Sequence, residues 1–180
     1  EEGWGDSFLQ SPLALYALDG VNYGVPWRTG MIGVWYRKSL FEQAGIETNP
    51  TTWAEFLETV QTLKDAGITP ISLGEGDKWP GHFYWSYLAI REGGQDAFEA
   101  AYSGDGSFAD EPFVKAGEDL AQLVELEPFQ AGFLAATYPE SSQVFADAGA
   151  AMEVMGHWSP GNMDALAEDP AAMRADLGWF

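Results

Sequence analysis

The chain has 180 residues, 46% of them hydrophobic and none of them cysteine, and its 28 acidic against 8 basic residues give a formal net charge of −20. This length suits one domain with a sizeable core. The charge argues against nucleic-acid and anionic-lipid partners, which require basic surface. Without cysteine, disulfides, thiol catalysis and Cys-based metal sites are excluded.

The first half of the sequence predicts a strand, two helices and a second strand. Residues 31–36 form a continuous apolar run of the length and composition typical of a buried strand. Ser39–Glu42 and Thr52–Glu55 both match the capping box, in which a Ser or Thr hydroxyl and a Glu three residues later bind the free N–H groups of a helix start. They predict a short helix and a longer one that ends at Gly67, before a strand at 69–73.

The second half predicts a helix-rich segment around a third strand. A loop that contains glycine and tryptophan, residues 74–81, leads into it. The elements expected from apolar periodicity and from the positions of glycine and proline are helices at 82–92, 95–102, 111–126, 139–147 and 161–176, with strands at 150–155 and 177–180. This alternation predicts an α/β fold, with a mixed or parallel sheet flanked by helices.

Tryptophan occurs eight times, and three of these residues lie in loops. Trp27, Trp79 and Trp158 stand among glycine, proline and polar residues. An indole is a flat apolar ring with one N–H donor, so a loop tryptophan beside a groove suits binding to the C–H face of a sugar. The same rings could instead cap the core, where tryptophan is commonly buried. We expect that of Trp35 on its strand and Trp53 on its helix.

Two of these loops follow predicted strands. Leu73 leads into the Trp79 loop and Met155 leads into the Trp158 loop. In open α/β sheets, ligands bind in the crevice beyond the carboxyl ends of the strands. We therefore expect the indoles of Trp79 and Trp158 to open onto a shared recess at one edge of the sheet.

The order of several short motifs resembles the extracellular solute-binding proteins of sugar ABC transporters. The motifs extend over residues 23–162, most of the chain. They are Tyr23–Pro26, Trp35–Phe41 with Ala44–Ile46, Pro50–Phe56, Gly67–Pro70, Trp79–Gly94, Phe145–Met152 and Gly156–Trp158.

This resemblance implies one lobe of a protein that closes two lobes on its ligand, with a periplasmic-binding-protein-like (type II) fold. Residues 1–22 would be a remnant of the first lobe or a linker, residues 23–176 the C-terminal lobe, and residues 177–180 the start of a return hinge strand. The implied function is capture of a mono- or oligosaccharide for the permease of an ABC importer. We expect a monomer without enzymatic activity or cofactor, extracellular or periplasmic, and lipid-anchored in the full-length protein.

The resemblance also implies which residues contact the ligand. These are Arg28 and Thr29 after the hinge strand, Trp79, His82, Phe83 and Trp85 around the start of the aromatic helix, and Trp158 after the third strand. Arg28 could equally pair with an acidic residue on the surface. Because Phe83 and Trp85 share a helix with other apolar residues, one of its faces must belong to the core.

Two other functions remain as alternatives. A secreted glycoside hydrolase needs two carboxylates across the scissile bond, and Glu75 and Asp77 are the acidic residues in the tryptophan loops. A tryptophan-rich module that binds another protein would use the same rings at an interface. We expect no metal site, since His82 and His157 with these two acids lack the close spacing typical of zinc ligands.

Overall fold

The computed structural model describes residues 3–180, and these fall into two compact units, residues 3–31 and Ile32–Phe180. A segment without helix or strand, residues 23–30, follows the regular elements of the first unit. Those elements are a 3-10 turn (Trp4–Ser7), helix α1 (Gln10–Ala14) and an antiparallel hairpin of strands β1 (Ala17–Leu18) and β2 (Val21–Asn22).

The second unit is an α/β structure. Within the described residues, no helix combines the length and apolar character that crossing a membrane requires. The elements in chain order are β3 (Ile32–Arg37), α2 (Lys38–Gln43), α3 (Trp53–Asp65), β4 (Ile71–Ser72), a 3-10 turn (Glu75–Asp77), α4 (His82–Ser103), α5 (Glu111–Glu125), α6 (Tyr138–Ala146), β5 (Met152–Gly156), α7 (Ser159–Leu166), α8 (Pro170–Asp176) and β6 (Leu177–Trp179).

The four strands of this unit form one mixed sheet in the order β4-β5-β3-β6. Strands β4 and β5 are parallel, whereas β3 is antiparallel to both of its neighbours, β5 and β6. The register pairs Ile32 with Gly156, so β3 begins at the edge of the sheet where β5 ends. The predicted mixed sheet flanked by helices is confirmed.

Alternation along the strands divides the core between the two faces of the sheet. Met152 and Val154 point to the first face, where they pack with the apolar sides of α3 and α5. Trp35 and Met155 point to the second face, where they pack with α6, α7 and α8. Trp35 is therefore a core residue, as predicted. Each face is covered by helices, as a central sheet of continuous apolar strands requires.

A smaller core joins α4 to α5. Leu88 and Ala89 pack there on Phe113 and Ala116. Gly94 interrupts α4 with φ 71° and ψ 177°, a conformation that favours glycine. The expected end of a helix at this glycine is thus confirmed, and helical structure resumes immediately after the kink.

Local sequence signals placed several helix termini correctly. The capping box at Thr52 is present: its hydroxyl accepts from the N–H of Glu55, and the Glu55 carboxylate accepts from the N–H of Thr52. Gly67 follows α3 with φ 73°, as a helix-ending glycine should. The strand predicted at 69–73 is shorter, Ile71–Ser72.

Two predicted helix boundaries were wrong. Ser39 does not cap a helix, because α2 already begins at Lys38 and the N–H and hydroxyl of Ser39 donate to the Asp176 carboxylate at 2.6 and 2.8 Å. The single helix expected at 161–176 is two helices, α7 and α8. A proline in the interior would break a helix, whereas at the first position it is tolerated, so Pro170 begins α8. Asp169 caps this helix by accepting from two backbone N–H groups.

Candidate functional site

Two tryptophan loops leave the sheet at the same edge. Because β4 and β5 are parallel neighbours, the loop that follows Leu73 and the loop that follows Gly156 begin side by side. The first carries Trp79 and the second carries Trp158, and both side chains are partly exposed. The expected convergence of the two loops is confirmed.

Both tryptophans contact one tyrosine, Tyr138, the first residue of α6. The Trp79 and Tyr138 rings meet edge to face, with centroids 4.9 Å apart. The indole N–H of Trp158 donates to the Tyr138 hydroxyl at 3.1 Å. We call Trp79, Tyr138 and Trp158 the aromatic rim. Neither tryptophan is enclosed in the interior, and Tyr138 joins them into one surface.

Sequence reasoning did not find Tyr138. The signal was present, since Thr137 and Glu140 have the spacing of a capping box and the Glu140 carboxylate accepts from the N–H and hydroxyl of Thr137 at 2.7 and 2.8 Å. That pattern places Tyr138 in the first turn of a helix. It does not say which loops the helix start will meet.

The Trp79 loop is held by backbone hydrogen bonds to the segment before α6. The N–H groups of Glu75 and Gly76 donate to the carbonyls of Phe133 and Ala136, both at 2.9 Å. The Asp77 carboxylate accepts from the N–H of Tyr138 at 2.6 Å. Trp79 and Tyr138 are thus positioned by the same short stretch of loop.

Glu75 has a similar structural role. Its carboxylate accepts from the N–H of Gly81 at 2.9 Å, at the start of α4. A negative charge at the start of a helix interacts favourably with the helix dipole. Both acidic residues of the loop, Glu75 and Asp77, therefore bind backbone N–H groups. This arrangement does not favour the catalytic roles that a glycoside hydrolase would need from them.

Trp158 lies directly on the backbone of its own loop. A Cβ atom built on Gly156 would meet the six-membered ring of Trp158 well inside 3.0 Å, so only glycine leaves room for the indole. Asn162 in α7 donates to the Tyr138 hydroxyl at 2.7 Å, which gives that oxygen a second partner. The indole is thus held on one side by the backbone of Gly156, which has no side chain, and at its N–H by the hydroxyl of Tyr138.

The two histidines flank the rim. His82 is exposed, its ring is 4.3 Å from that of Phe83, and its Nδ1 contacts the Trp79 carbonyl. His157 meets Trp158 edge to face at 5.5 Å, and its Nδ1 is buried without a hydrogen-bond partner. Across residues 3–180 the structure brings together no group of three or more His, Asp or Glu residues that could hold a metal ion.

Phe83 and Trp85 occupy different sides of α4. Phe83 meets Trp79 edge to face at 5.7 Å. Trp85 turns instead toward α5, where it stacks on Phe113 at 5.9 Å and donates to that residue's carbonyl at 3.4 Å. The structure therefore does not bring Trp85 to the rim. Residues two apart on a helix differ by about 200° in direction, so both could not face the same loop.

Arg28 and Thr29 lie in the segment of the first compact unit that has no helix or strand, and both residues are exposed. The expectation that they contact a ligand stays a prediction.

Below the rim, a carboxylic acid is buried in the sheet. Glu153 in β5 is 1% exposed, and its two oxygens accept hydrogen bonds from Ser142 at 3.2 Å and Ser159 at 2.6 Å. Burial raises the pKa of Glu153 above its usual value, and the two serine hydroxyls oppose this shift only in part.

A cavity of about 340 Å³ lies on the first face of the sheet. Its lining includes Val34 and Val154, which point away from the rim, and Trp53 and Leu88 from the helices. Phe83 borders both the cavity and the rim. The cavity is mostly apolar and belongs to the space between the sheet, α3 and α4, so it is separate from the two tryptophan loops.

Comparison with known proteins identifies similar chains. A family profile described as bacterial extracellular solute-binding protein matches residues 2–179. A diacetylchitobiose binding protein of Streptomyces coelicolor is 27% identical over 98% of this chain and 39% of its own length. A probable sugar-binding periplasmic protein of Mesorhizobium japonicum is 24% identical over 94% of this chain and 40% of its own length. The chain thus spans less than half the length of these relatives.

Solved structures agree with these relatives. One comes from a study of xylan utilization by the thermophilic bacterium Caldanaerobius polysaccharolyticus; it matches with a TM-score of 0.86 at 29% identity, over 99% of this chain and 45% of that one. A chitin oligosaccharide binding protein matches with a TM-score of 0.82 at 30% identity, over 93% of this chain and 42% of that one. The predicted periplasmic-binding-protein-like (type II) fold is confirmed.

Proposed function

Because the chain belongs to the bacterial extracellular solute-binding proteins, we propose that it forms most of one lobe of the carbohydrate-binding subunit of an ABC importer. The subunit captures a mono- or oligosaccharide between two lobes and delivers it to a membrane permease. It is a monomer without catalytic activity or cofactor, and it is lipid-anchored outside the cytoplasmic membrane.

The observation that carries this proposal is the aromatic rim at the edge where β4 and β5 end. Trp79 and Trp158 are partly exposed and share Tyr138 as a neighbour. Flat aromatic faces suit the C–H surface of a sugar ring, and hydroxyl and amide groups beside them suit its hydroxyls. Asn162 supplies such an amide next to the Tyr138 hydroxyl.

Two further features support a neutral ligand. The net charge of −20 disfavours phosphorylated or strongly acidic ligands through long-range repulsion. The relatives named above are described as binding diacetylchitobiose, sugar or chitin oligosaccharide. We propose the same ligand class for this chain. Arg28, Thr29, His82 and Phe83 remain candidate contacts in this proposal, Arg28 and Thr29 on sequence grounds alone.

The rim supplies only part of the contacts that a closed two-lobed protein makes. Closure buries the ligand, and the closed state forms because the ligand binds it more tightly than the open state. We therefore expect the 180-residue chain by itself to bind sugars weakly or undetectably. Micromolar or tighter binding in calorimetry of this chain alone would contradict the two-lobe part of the proposal.

The direct test is calorimetry of the full-length protein against diacetylchitobiose, xylobiose, mannobiose, raffinose and galactose. We expect one or more of them to bind, and both Trp158→Ala and Trp79→Ala to weaken that binding by about tenfold or more. Trp85→Phe is the matched control, since Trp85 packs between α4 and α5, and it should leave affinity unchanged. Release of reducing sugar would instead favour a hydrolase, and a sugar-insensitive protein complex would favour an interaction module.

A further inference from the structure

Glu153 occupies an unusual place for an acidic residue, the middle of the central sheet. It pairs with Trp35 of β3 on one side and with Ser72 of β4 on the other. Its side chain points to the second face, because it alternates with Met152 and Val154, which point to the first. A buried ionisable group needs partners, and the partners of Glu153 are the hydroxyls of Ser142 and Ser159. Its position is thus defined by two specific contacts.

Those two serines belong to the two helices that carry the rim. Ser142 lies one turn into α6, whose first residue is Tyr138. Ser159 begins α7 and directly follows Trp158. Glu153 therefore bridges α6 and α7 from below, while the bond from Trp158 to Tyr138 bridges them at the surface. Both bridges depend on the same spacing between the two helices.

We propose that Glu153 is a positioning residue for the aromatic rim: its carboxyl group, held by Ser142 and Ser159, sets α6 against α7 so that Trp158 meets Tyr138. The effect on sugar affinity rests on the proposed function. The effect on the position of Trp158 does not, because it concerns the protein without ligand.

On the elements around Glu153, the following titratable side chains are neutral or already have partners. Tyr84 of α4 stays a neutral phenol, because burial and, second to it, the charge of Glu153 raise its pKa. Arg37 of β3 is bound to the Phe145 and Ala146 carbonyls and to Asp176. Asp164 of α7 is paired with Arg174 of α8. The charge of Glu75 also raises the pKa of Tyr84, after burial and Glu153.

Because the pKa of Glu153 is raised, its effect on the position of Trp158 should depend on pH. A carboxyl group whose pKa is raised in the folded state contributes stability below its unfolded pKa, and this contribution is lost as the pH rises through the folded pKa. Ionisation also changes the hydrogen bonds to both serines. A glutamine at position 153 has the shape of the neutral acid and can bridge both hydroxyls at every pH. Glu153→Gln should therefore keep the rim in place and remove its pH dependence, whereas Glu153→Leu should release it.

The experiment uses the full-length protein with His157→Gln as the background of all variants, labelled with 5-fluorotryptophan and without sugar, because the His157 ring lies 5.5 Å from that of Trp158 and histidine ordinarily changes charge in this pH range. Fluorine NMR follows the Trp158 resonance, assigned through Trp158→Phe, from about pH 4 to about pH 8. We expect it to move with pH in the background protein, to stay fixed in Glu153→Gln and to shift or broaden in Glu153→Leu. Trp53 is the internal reference because it packs on the other face. Leu123→Ala, a buried substitution in α5, is the control for general destabilisation and should leave Trp158 unmoved.

A Trp158 resonance that is the same in Glu153→Leu and the background protein would overturn the proposal. If Glu153→Leu does not fold, the pH titration decides: equal pH dependence with Glu and Gln at position 153 would overturn it, and a flat Gln profile supports it. With diacetylchitobiose as the probe, we expect Glu153→Leu to bind about tenfold more weakly and Glu153→Gln to match the background protein. Fluorine shifts as expected without any sugar binding would leave the positioning role supported and count against the proposed function.

Discussion

The contact between Gly156 and Trp158 gives a sharp test of how the rim is built. In Gly156→Ala the new methyl group would overlap the indole ring, which would have to retreat by more than about 1 Å to reach ordinary van der Waals distance. The hydrogen bond from the indole N–H to the Tyr138 hydroxyl is 3.1 Å long. A retreat of that size stretches it beyond hydrogen-bonding range.

The steric overlap and the lost hydrogen bond together determine how much stability Gly156→Ala should lose. Overpacking a filled site costs about 1–3 kcal/mol, and losing one hydrogen bond costs about 1 kcal/mol. We therefore expect Gly156→Ala to lower the free energy of unfolding by roughly 2–4 kcal/mol. Sugar affinity should fall about tenfold or more if the ring is a binding surface, since about 1.4 kcal/mol corresponds to a factor of ten.

Urea denaturation followed by circular dichroism measures the stability, and calorimetry with the best-binding sugar measures the affinity. The matched control is Gly161→Ala, the same substitution five positions later, where a Cβ would meet nothing within 4 Å. That variant should be neutral or slightly stabilising. If Gly156→Ala and Gly161→Ala behaved alike, the argument that glycine makes room for the indole would be wrong.

Three other predictions follow from the described contacts. Tyr138→Phe removes the hydroxyl that accepts from Trp158 and Asn162, so it should lower the unfolding free energy by about 1 kcal/mol and weaken sugar binding several-fold. Tyr102→Phe, at an exposed position, should change neither quantity. Equal effects of the two substitutions would refute the anchoring role of Tyr138. Asp176→Ala leaves buried Arg37 without its carboxylate partner and should cost about 3 kcal/mol at neutral pH in chemical denaturation. Burial works against the ionised form of Asp176, but the hydrogen bonds from Arg37 and Ser39 together with the Arg37 charge hold its pKa below the usual value. Its contribution to the free energy of unfolding is therefore present above the unfolded pKa and lost as the pH falls through the folded pKa. If Asp176→Asn left the loss of stability at acid pH unchanged, this would be contradicted. Gly117→Ala in the interior of α5, where a Cβ meets nothing within 4 Å, should raise the unfolding free energy by about 0.5–1 kcal/mol, and a lower melting temperature would show that the site is not open.

Several parts of the molecule were predictable because the forces that form them act over a few residues. The capping box at Thr52 and the helix end at Gly67 satisfy backbone groups that are neighbours in the chain. The strand at β3 follows from one apolar run. The two loop tryptophans of the rim were found because glycine and proline mark their loops.

Other parts depended on partners far away in the chain. Ser39 has the sequence of a helix cap, yet it binds Asp176, which is 137 positions later. Trp85 has the same local setting as Phe83, and only the packing of α4 on α5 turns it away from the rim. Tyr138 carries no local mark of a binding residue. Its place depends on a hydrogen bond to Asp77, 61 positions earlier.

The amino-acid sequence alone determined most of the helices and strands and placed two indoles after neighbouring strands, because these depend on local hydrogen bonding and on patterns of apolar residues. The family followed from its resemblance in the order of short motifs. Only the tertiary structure decided that Tyr138 joins those indoles, that Trp85 faces α5 and that Glu153 lies beneath two helices. The physical reason is that a side chain's partners are set by which elements the sheet brings together. A pattern of neighbouring residues does not contain that information.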